Sequence, residues 1–257
     1  MSLILHLKIP GAIVAASDCR ITGTEQLVIT GEIEKNEEGS QRVNLGKPEE
    51  LRLSRNDQLP ENSVKIPFGH YDFIKTDSEQ KTFLLSNESG TPFAVSYCGN
   101  ANLLGTPTSH QIRIALSEMK GAKSTNEIAE RFVVFWKQHK ISTAPSILIS
   151  GYNDGKASIL ELENDGTTIR EHFENIDLYG VTYHGEQDVV RALIGLGSYQ
   201  YSLFRLEDAI NFCDLMITTT ARVQTFQTRQ QTVSEKYDLL VITEDKGQWI
   251  KRHTLEI

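Results

Sequence analysis

Ser2-Leu-Ile-Leu-His-Leu-Lys8 runs through Ile9-Pro10-Gly11 into Ala12-Ile-Val-Ala-Ala16 and stops at Ser17-Asp-Cys-Arg20. Two β-rich apolar runs on either side of a Pro-Gly turn signal predict an antiparallel hairpin at the very start of the chain. The second run is apolar on both faces, as a central strand covered above and below would be. The hairpin also returns Asp18 to the side of Ser2, and Arg20 follows two residues on, on the same face of an extended strand.

Further along, apolar patterns come in segregated runs. A hairpin is expected from Lys81–Leu85 and Pro92–Cys98, closed through Asn87-Glu-Ser-Gly90. Two helices follow. Thr106-Pro107 places a cap before a first-turn proline, with Ile112, Leu116 and Met119 at helical spacing behind it. Ser124-Thr-Asn-Glu127 matches a capping box ahead of Ile128, Phe132, Phe135 and Trp136, a stripe that reads as core. Strands resume at Ser146–Ile149 and Ala157–Leu162 around Asn153-Asp-Gly155, a hairpin signal, and again near Thr167. Helices over Glu186–Ile194 and from Leu206 to about Thr220 precede closing strands at Tyr237–Ile242 and Gln248–Lys251. Strands, two helices, strands, two helices, strands: this order predicts an α+β fold, a four-layer αββα sandwich of two antiparallel sheets flanked by helices. One domain over residues 1–257 is expected. Residues 34–62, polar, charged and aperiodic, read as a long surface insertion.

Composition limits function. Among 257 residues, 26 Lys and Arg stand against 34 Asp and Glu, a formal charge of −8. Nucleic acid and anionic membranes, which need clustered positive charge, are not expected partners. The sequence has no apolar run of about 18 residues and no leader pattern, so a soluble, cytoplasmic protein is expected. Cys19, Cys98 and Cys213 are widely spaced, and the seven histidines form no HxH or HxxxH. Neither a metal nor a disulfide framework is suggested, and no cofactor. Cys19 reads as a small buried residue rather than a nucleophile.

Chemistry concentrates at the N-terminus. A small second residue permits removal of Met1, which would leave Ser2 with a free α-amine beside its hydroxyl. Such an amine titrates near 7.7–8.0, so a useful fraction is neutral at pH 7, and nucleophile and general base then share one residue. Serine is also simply a common second residue, and Asp18 and Arg20 could be plain strand-end residues.

These blocks resemble the proteasome-type N-terminal-nucleophile hydrolases. "IVAASDCRIT" (13–22) is similar to that family's hydrophobic-A-A-D-x-R-x-T signature, and "KTFLL" (81–85) with "FAVSYCGNANLLG" (93–105) to its lysine-led hairpin ending in glycine. "SILISGYNDGKASILEL" (146–162), "YGVTYHGEQDVVRALIG" (179–195), and "FRLEDAINFCDLMITTTARVQ" (204–224) with "YDLLVITEDKGQWI" (237–250) follow in the family's order. The resemblance implies Ser2 as nucleophile in place of the usual threonine, and Asp18 as the catalytic aspartate. It implies Lys81 as the lysine that lowers the pKa of amine and hydroxyl, and the Gly99 N–H as oxyanion donor. Lys35 is an alternative to Lys81, nearer in sequence but set in a polar run. Tyr183-His184-Gly185 stands where the family often has Gly-Ser-Gly, so His184, like Arg20, is a possible supporting residue, or else an ordinary strand-end histidine. The family's Asp and Ser-Gly-Gly before the last strands are absent from Gln230–Lys236. The implied function is a peptidase or amide hydrolase, without cofactor, in a ring-type homo-oligomer. The alternatives are a catalytically inactive structural or binding subunit and a small-molecule amidase on the same fold.

Overall fold

The computed structural model describes residues 2–35, 41–45, 63–87, 90–119, 121–141, 143–228 and 231–253, with backbone alone over 23–35, 41–45 and 63–75. The chain divides into two compact units, residues 1–22 with 74–257, and residues 23–73.

In the larger unit, β1 (Leu3–Ile9) and β2 (Ala12–Asp18) form the expected hairpin. Ile9 pairs with Ala12, so only Pro10 and Gly11 make the turn, and Gly11 takes φ +75°, which glycine adopts without steric cost. β13 (Gly180–Gly185), β14 (Tyr237–Ile242) and β15 (Gly247–Lys251) complete an antiparallel sheet in the order β13-β1-β2-β14-β15. A second antiparallel sheet contains β6 (Thr82–Ser86), β7 (Pro92–Cys98), β10 (Ser146–Asn153), β11 (Lys156–Leu162) and β12 (Ile169–His172), in the order β12-β11-β10-β7-β6.

The central strand β2 is buried on both sides. Ala12, Val14 and Ala16 face the core under α3 (Asp188–Gly195) and α4 (Leu206–Thr225), while Ile13 and Ala15 meet Ala94 and Ile159 of the second sheet. The second sheet's outer face, with Val95, Tyr97, Ile147 and Ile149, packs on α1 (Thr108–Glu118) and α2 (Thr125–Gln138). The expected stripe of Ile128, Phe132, Phe135 and Trp136 is buried there. The layers are thus helix, sheet, sheet, helix, the αββα sandwich expected from the order of elements.

Two local expectations differ in detail. Thr106 does not cap α1: with Pro107 it forms the two-residue strand β9, paired to β8 (Asn102–Leu103), and its hydroxyl donates to the Leu103 carbonyl. As an acceptor that hydroxyl serves the side-chain Nε2 of Gln111, at 2.8 Å, rather than a first-turn N–H. At α2, Ser124 Oγ accepts from the Glu127 N–H at 3.1 Å, but the Glu127 carboxylate turns one residue further back, to the Lys123 N–H.

The smaller unit contains β3 (Ile21–Lys35, its first two residues still in the larger unit), β4 (Gln41–Leu45) and β5 (Ser63–Thr76, ending back in the larger unit), in the order β4-β3-β5. β3 and β4 are antiparallel, with Gly31 opposite Leu45. Of the stretch expected as an insertion, 36–40 and 46–62 lie outside the described residues.

Candidate active site

The hairpin register builds the site. With Ile4 opposite Ser17, Leu3 comes opposite Asp18, and the Leu3 N–H donates to Asp18 Oδ1 at 2.8 Å. Asp18 is fully buried. A carboxylate out of water needs donors on its lone pairs, and this one has four. Oδ1 also accepts from Lys81 Nζ at 3.0 Å, while Oδ2 accepts from the Arg20 N–H at 2.9 Å and the Ser234 N–H at 3.4 Å.

Lys81 sits just before β6, its carbonyl accepting from the Tyr97 N–H of β7. Its ammonium has three protons and three acceptors: Ser2 Oγ at 2.6 Å, Asp18 Oδ1, and the Arg20 main-chain carbonyl. Asp18 balances the charge of a lysine only 2% exposed. An ammonium that donates to a hydroxyl oxygen favours developing negative charge there, and while it donates it cannot accept that hydroxyl's proton. A base has to come from elsewhere.

Ser2 is held from behind. Its carbonyl accepts from the Glu186 N–H at 2.7 Å, and Gly185, at φ +95°, passes so close that an added Cβ would lie 1.8 Å from that oxygen. Only glycine fits there. Ser2, Lys81 and Gly99 line one small cleft, with Ile21, Thr22 and Asn100. Gly99, at φ +134°, directly follows β7.

The structure therefore brings Ser2, Asp18, Lys81 and Gly99 together at one end of the sandwich. The other two candidates behave differently. Arg20 contributes its backbone, while its guanidinium turns to Asp77, with Nε–Oδ1 at 2.5 Å and a second nitrogen to Oδ2 at 2.9 Å. That hydrogen-bonded pairing holds the Asp77 carboxyl below the usual carboxylate range. His184 is committed across the sheets to Glu161 (2.9 Å), which also holds His172 at 2.7 Å. The side chain of Lys35 is not among those described.

Asp77 and the Ser234 N–H were not singled out from sequence. Asp77 lies 57 positions from its partner, and no local pattern marks such a pair. Ser234 falls within Gln230–Lys236, and its main-chain N–H needs no particular side chain to reach Asp18.

The cysteines add nothing nucleophilic. All three are free and buried, and burial pushes the Cys98 thiol up to about 12 and those of Cys19 and Cys213 higher still. Among the described residues no group of three His, Cys, Asp or Glu could hold a metal, and no helix is long and apolar enough to cross a membrane.

No family model and no curated protein matches the chain in sequence. Solved structures do. Anbu from Hyphomicrobium sp. strain MC1 superposes with a TM-score of 0.60 at 12% identity, over 97% of this chain and 87% of that one. Its Gly-1 mutant gives 0.60 at 14% identity, over 100% and 89%. Anbu from Yersinia bercovieri, described as an ancestral beta-subunit, gives 0.57 at 12%, over 97% and 87%. At such identities the likeness concerns architecture, and it places this sandwich among proteasome-like folds.

Proposed function

We propose that this chain is an N-terminal-nucleophile hydrolase that cleaves peptide or amide bonds through Ser2 once Met1 has been removed. The supporting observation is the contact of Lys81 Nζ with Ser2 Oγ at 2.6 Å, with the buried Asp18 as counter-ion. In this reading the freed α-amine of Ser2 takes the hydroxyl proton as Oγ attacks the carbonyl carbon. The Lys81 ammonium biases that amine toward its neutral form and stabilises charge on Oγ, and the Gly99 N–H receives the oxyanion. The amine then returns its proton to the leaving nitrogen. Water, deprotonated by the same amine, splits the acyl ester, regenerating the hydroxyl and releasing the acid. No cofactor enters. The protein would work as a soluble homo-oligomer, ring-type as in the family it resembles, in the cytoplasm.

Intact mass gives the first test: loss of Met1 is expected, and a β-lactone probe should then add one equivalent at Ser2. Ser2→Ala should abolish the adduct and amide hydrolysis alike. A retained Met1 would leave an inactive structural subunit as the better account, and a Ser2→Ala protein as active as wild type would move the hydrolysis to another residue. Rates on peptides of increasing length would distinguish a peptidase, favouring longer chains, from a small-molecule amidase. Light scattering would report the assembly.

A further inference from the structure

Arg20 uses every nitrogen of its guanidinium. Nε and one terminal nitrogen grip both oxygens of Asp77, and the other terminal nitrogen reaches the carbonyls of Gln231 at 3.4 Å and Val233 at 3.5 Å. The side chain is 9% exposed and that of Asp77 31%. A two-point arginine–carboxylate contact fixes orientation as well as distance. What it orients is the Ser2 cluster. The Arg20 carbonyl is the third acceptor of Lys81, the Arg20 N–H donates to Asp18, and the segment pinned through Val233 presents the Ser234 N–H to the same carboxylate. The pair also lies at the point where the chain leaves the larger unit after Thr22 and re-enters it at Ile74.

We propose that Asp77 is a positioning residue for Ser2 chemistry: by clamping Arg20 it holds two of the partners of Asp18 and the third acceptor of Lys81. This deepens the hydrolase reading above and, for its kinetic consequence, rests on it. Asp18 faces Lys81 directly from β2, Asp77 and Arg20 stand behind, and the thiols of Cys19 and Cys98 stay neutral through burial. Release of the Arg20 carbonyl would leave the ammonium one acceptor short and free it to swing away from Ser2 Oγ.

The test compares wild type, Asp77→Asn, Arg20→Lys and, as a control for loss of a surface ion pair, Glu163→Gln. Glu163 pairs with the exposed Arg170 at 2.6 Å. The first readout is the rate of Ser2 labelling by the β-lactone against probe concentration, in protein whose Met1 is shown by mass to be absent. Asp77→Asn should lower the limiting rate roughly tenfold to a hundredfold while the half-saturating probe concentration stays as in wild type. Arg20→Lys, which keeps the charge but not the fork, should do likewise, and Glu163→Gln should match wild type. An Asp77→Asn protein that labels at the wild-type limiting rate, or whose loss lies wholly in the half-saturating concentration, would overturn the proposal. The second readout does not depend on activity: in a crystal structure of Asp77→Asn the Arg20 carbonyl should have left Lys81 Nζ. A retained contact would overturn the clamp even if wild type proved unreactive, an outcome that would defeat the hydrolase reading separately.

Discussion

Lys81 and Asp18 form a charge pair with almost no access to water. Removing one partner of such a pair leaves the other buried and uncompensated, which typically costs about 3–5 kcal/mol. Asp18 would keep three N–H donors, so Lys81→Met should fall near the lower end of that range in urea melts at pH 7. It should also slow Ser2 labelling about 100- to 1,000-fold, the usual effect of losing one donor aimed at developing charge. Lys81→Arg should not restore the rate, because a planar fork cannot deliver one nitrogen to three converging acceptors. Equal labelling of wild type and Lys81→Met would remove the lysine from the chemistry. At this scale the sequence was informative where spacing and hairpin geometry coincide: two strands of seven residues on a two-residue turn have to bring Asp18 opposite Leu3. It was silent on Asp77, and it marked Arg20 without showing that the backbone of that residue, rather than its guanidinium, meets Asp18 and Lys81. Residue type says nothing about which main-chain groups a loop presents.

Elements were legible wherever pattern and cap agreed. The stripe from Ile128 to Trp136 is buried as its spacing requires, and Ser124 caps α2. Asn153, which reads only as the start of a turn, does more. The turn it opens places Asp154 at φ +49° and Gly155 at φ +77°, and its side chain accepts from the Thr125 N–H at 3.0 Å and donates to Thr125 Oγ1 at 2.8 Å. The β10–β11 hairpin thereby caps the first turn of α2 alongside Ser124. Because two residues share the orphaned N–H groups, Ser124→Ala should cost about 1 kcal/mol and lower Tm by roughly 2–4 °C. Asn153→Ala should cost as much again, since Ser124 serves the Glu127 N–H and Asn153 that of Thr125. A double variant no worse than either single one would contradict that division. Thr106-Pro107 shows the converse. The dipeptide has helix-start chemistry, yet the tight β8–β9 hairpin takes it up as a strand, and the local signal for that competitor is Gly105, at φ +78° in the turn.

Across the whole molecule, the two sheets meet through apolar contacts threaded by polar ties. His6 of β1 shares a 2.8 Å hydrogen bond with Ser96 of β7, which continues through Thr82 to Ser17 of β2. Burial, with the nearby His184 adding to it, lowers the His6 pKa to about 3. Glu161 is shifted downward as well: burial opposes its charge, but hydrogen bonds from His172 and His184 outweigh that cost. Both groups bind protons less readily folded than unfolded, so stability rises with pH through each window. The windows differ. For His6 the loss starts as pH falls below about 6.5, where the unfolded chain takes up a proton that the fold refuses, and proceeds at up to about 1.4 kcal/mol per pH unit toward the folded value. For Glu161 it starts only below about 4.3. His6→Gln, which keeps a polar partner for Ser96, should therefore flatten the urea-melt stability profile between about pH 6.5 and 4.5, whereas Glu161→Gln should leave that span's slope as in wild type and flatten it below. If His6→Gln loses stability with acid as steeply as wild type over the upper window, the buried histidine is not the source of the molecule's acid sensitivity there, and the tie between β1 and β7 owes nothing to its neutral ring.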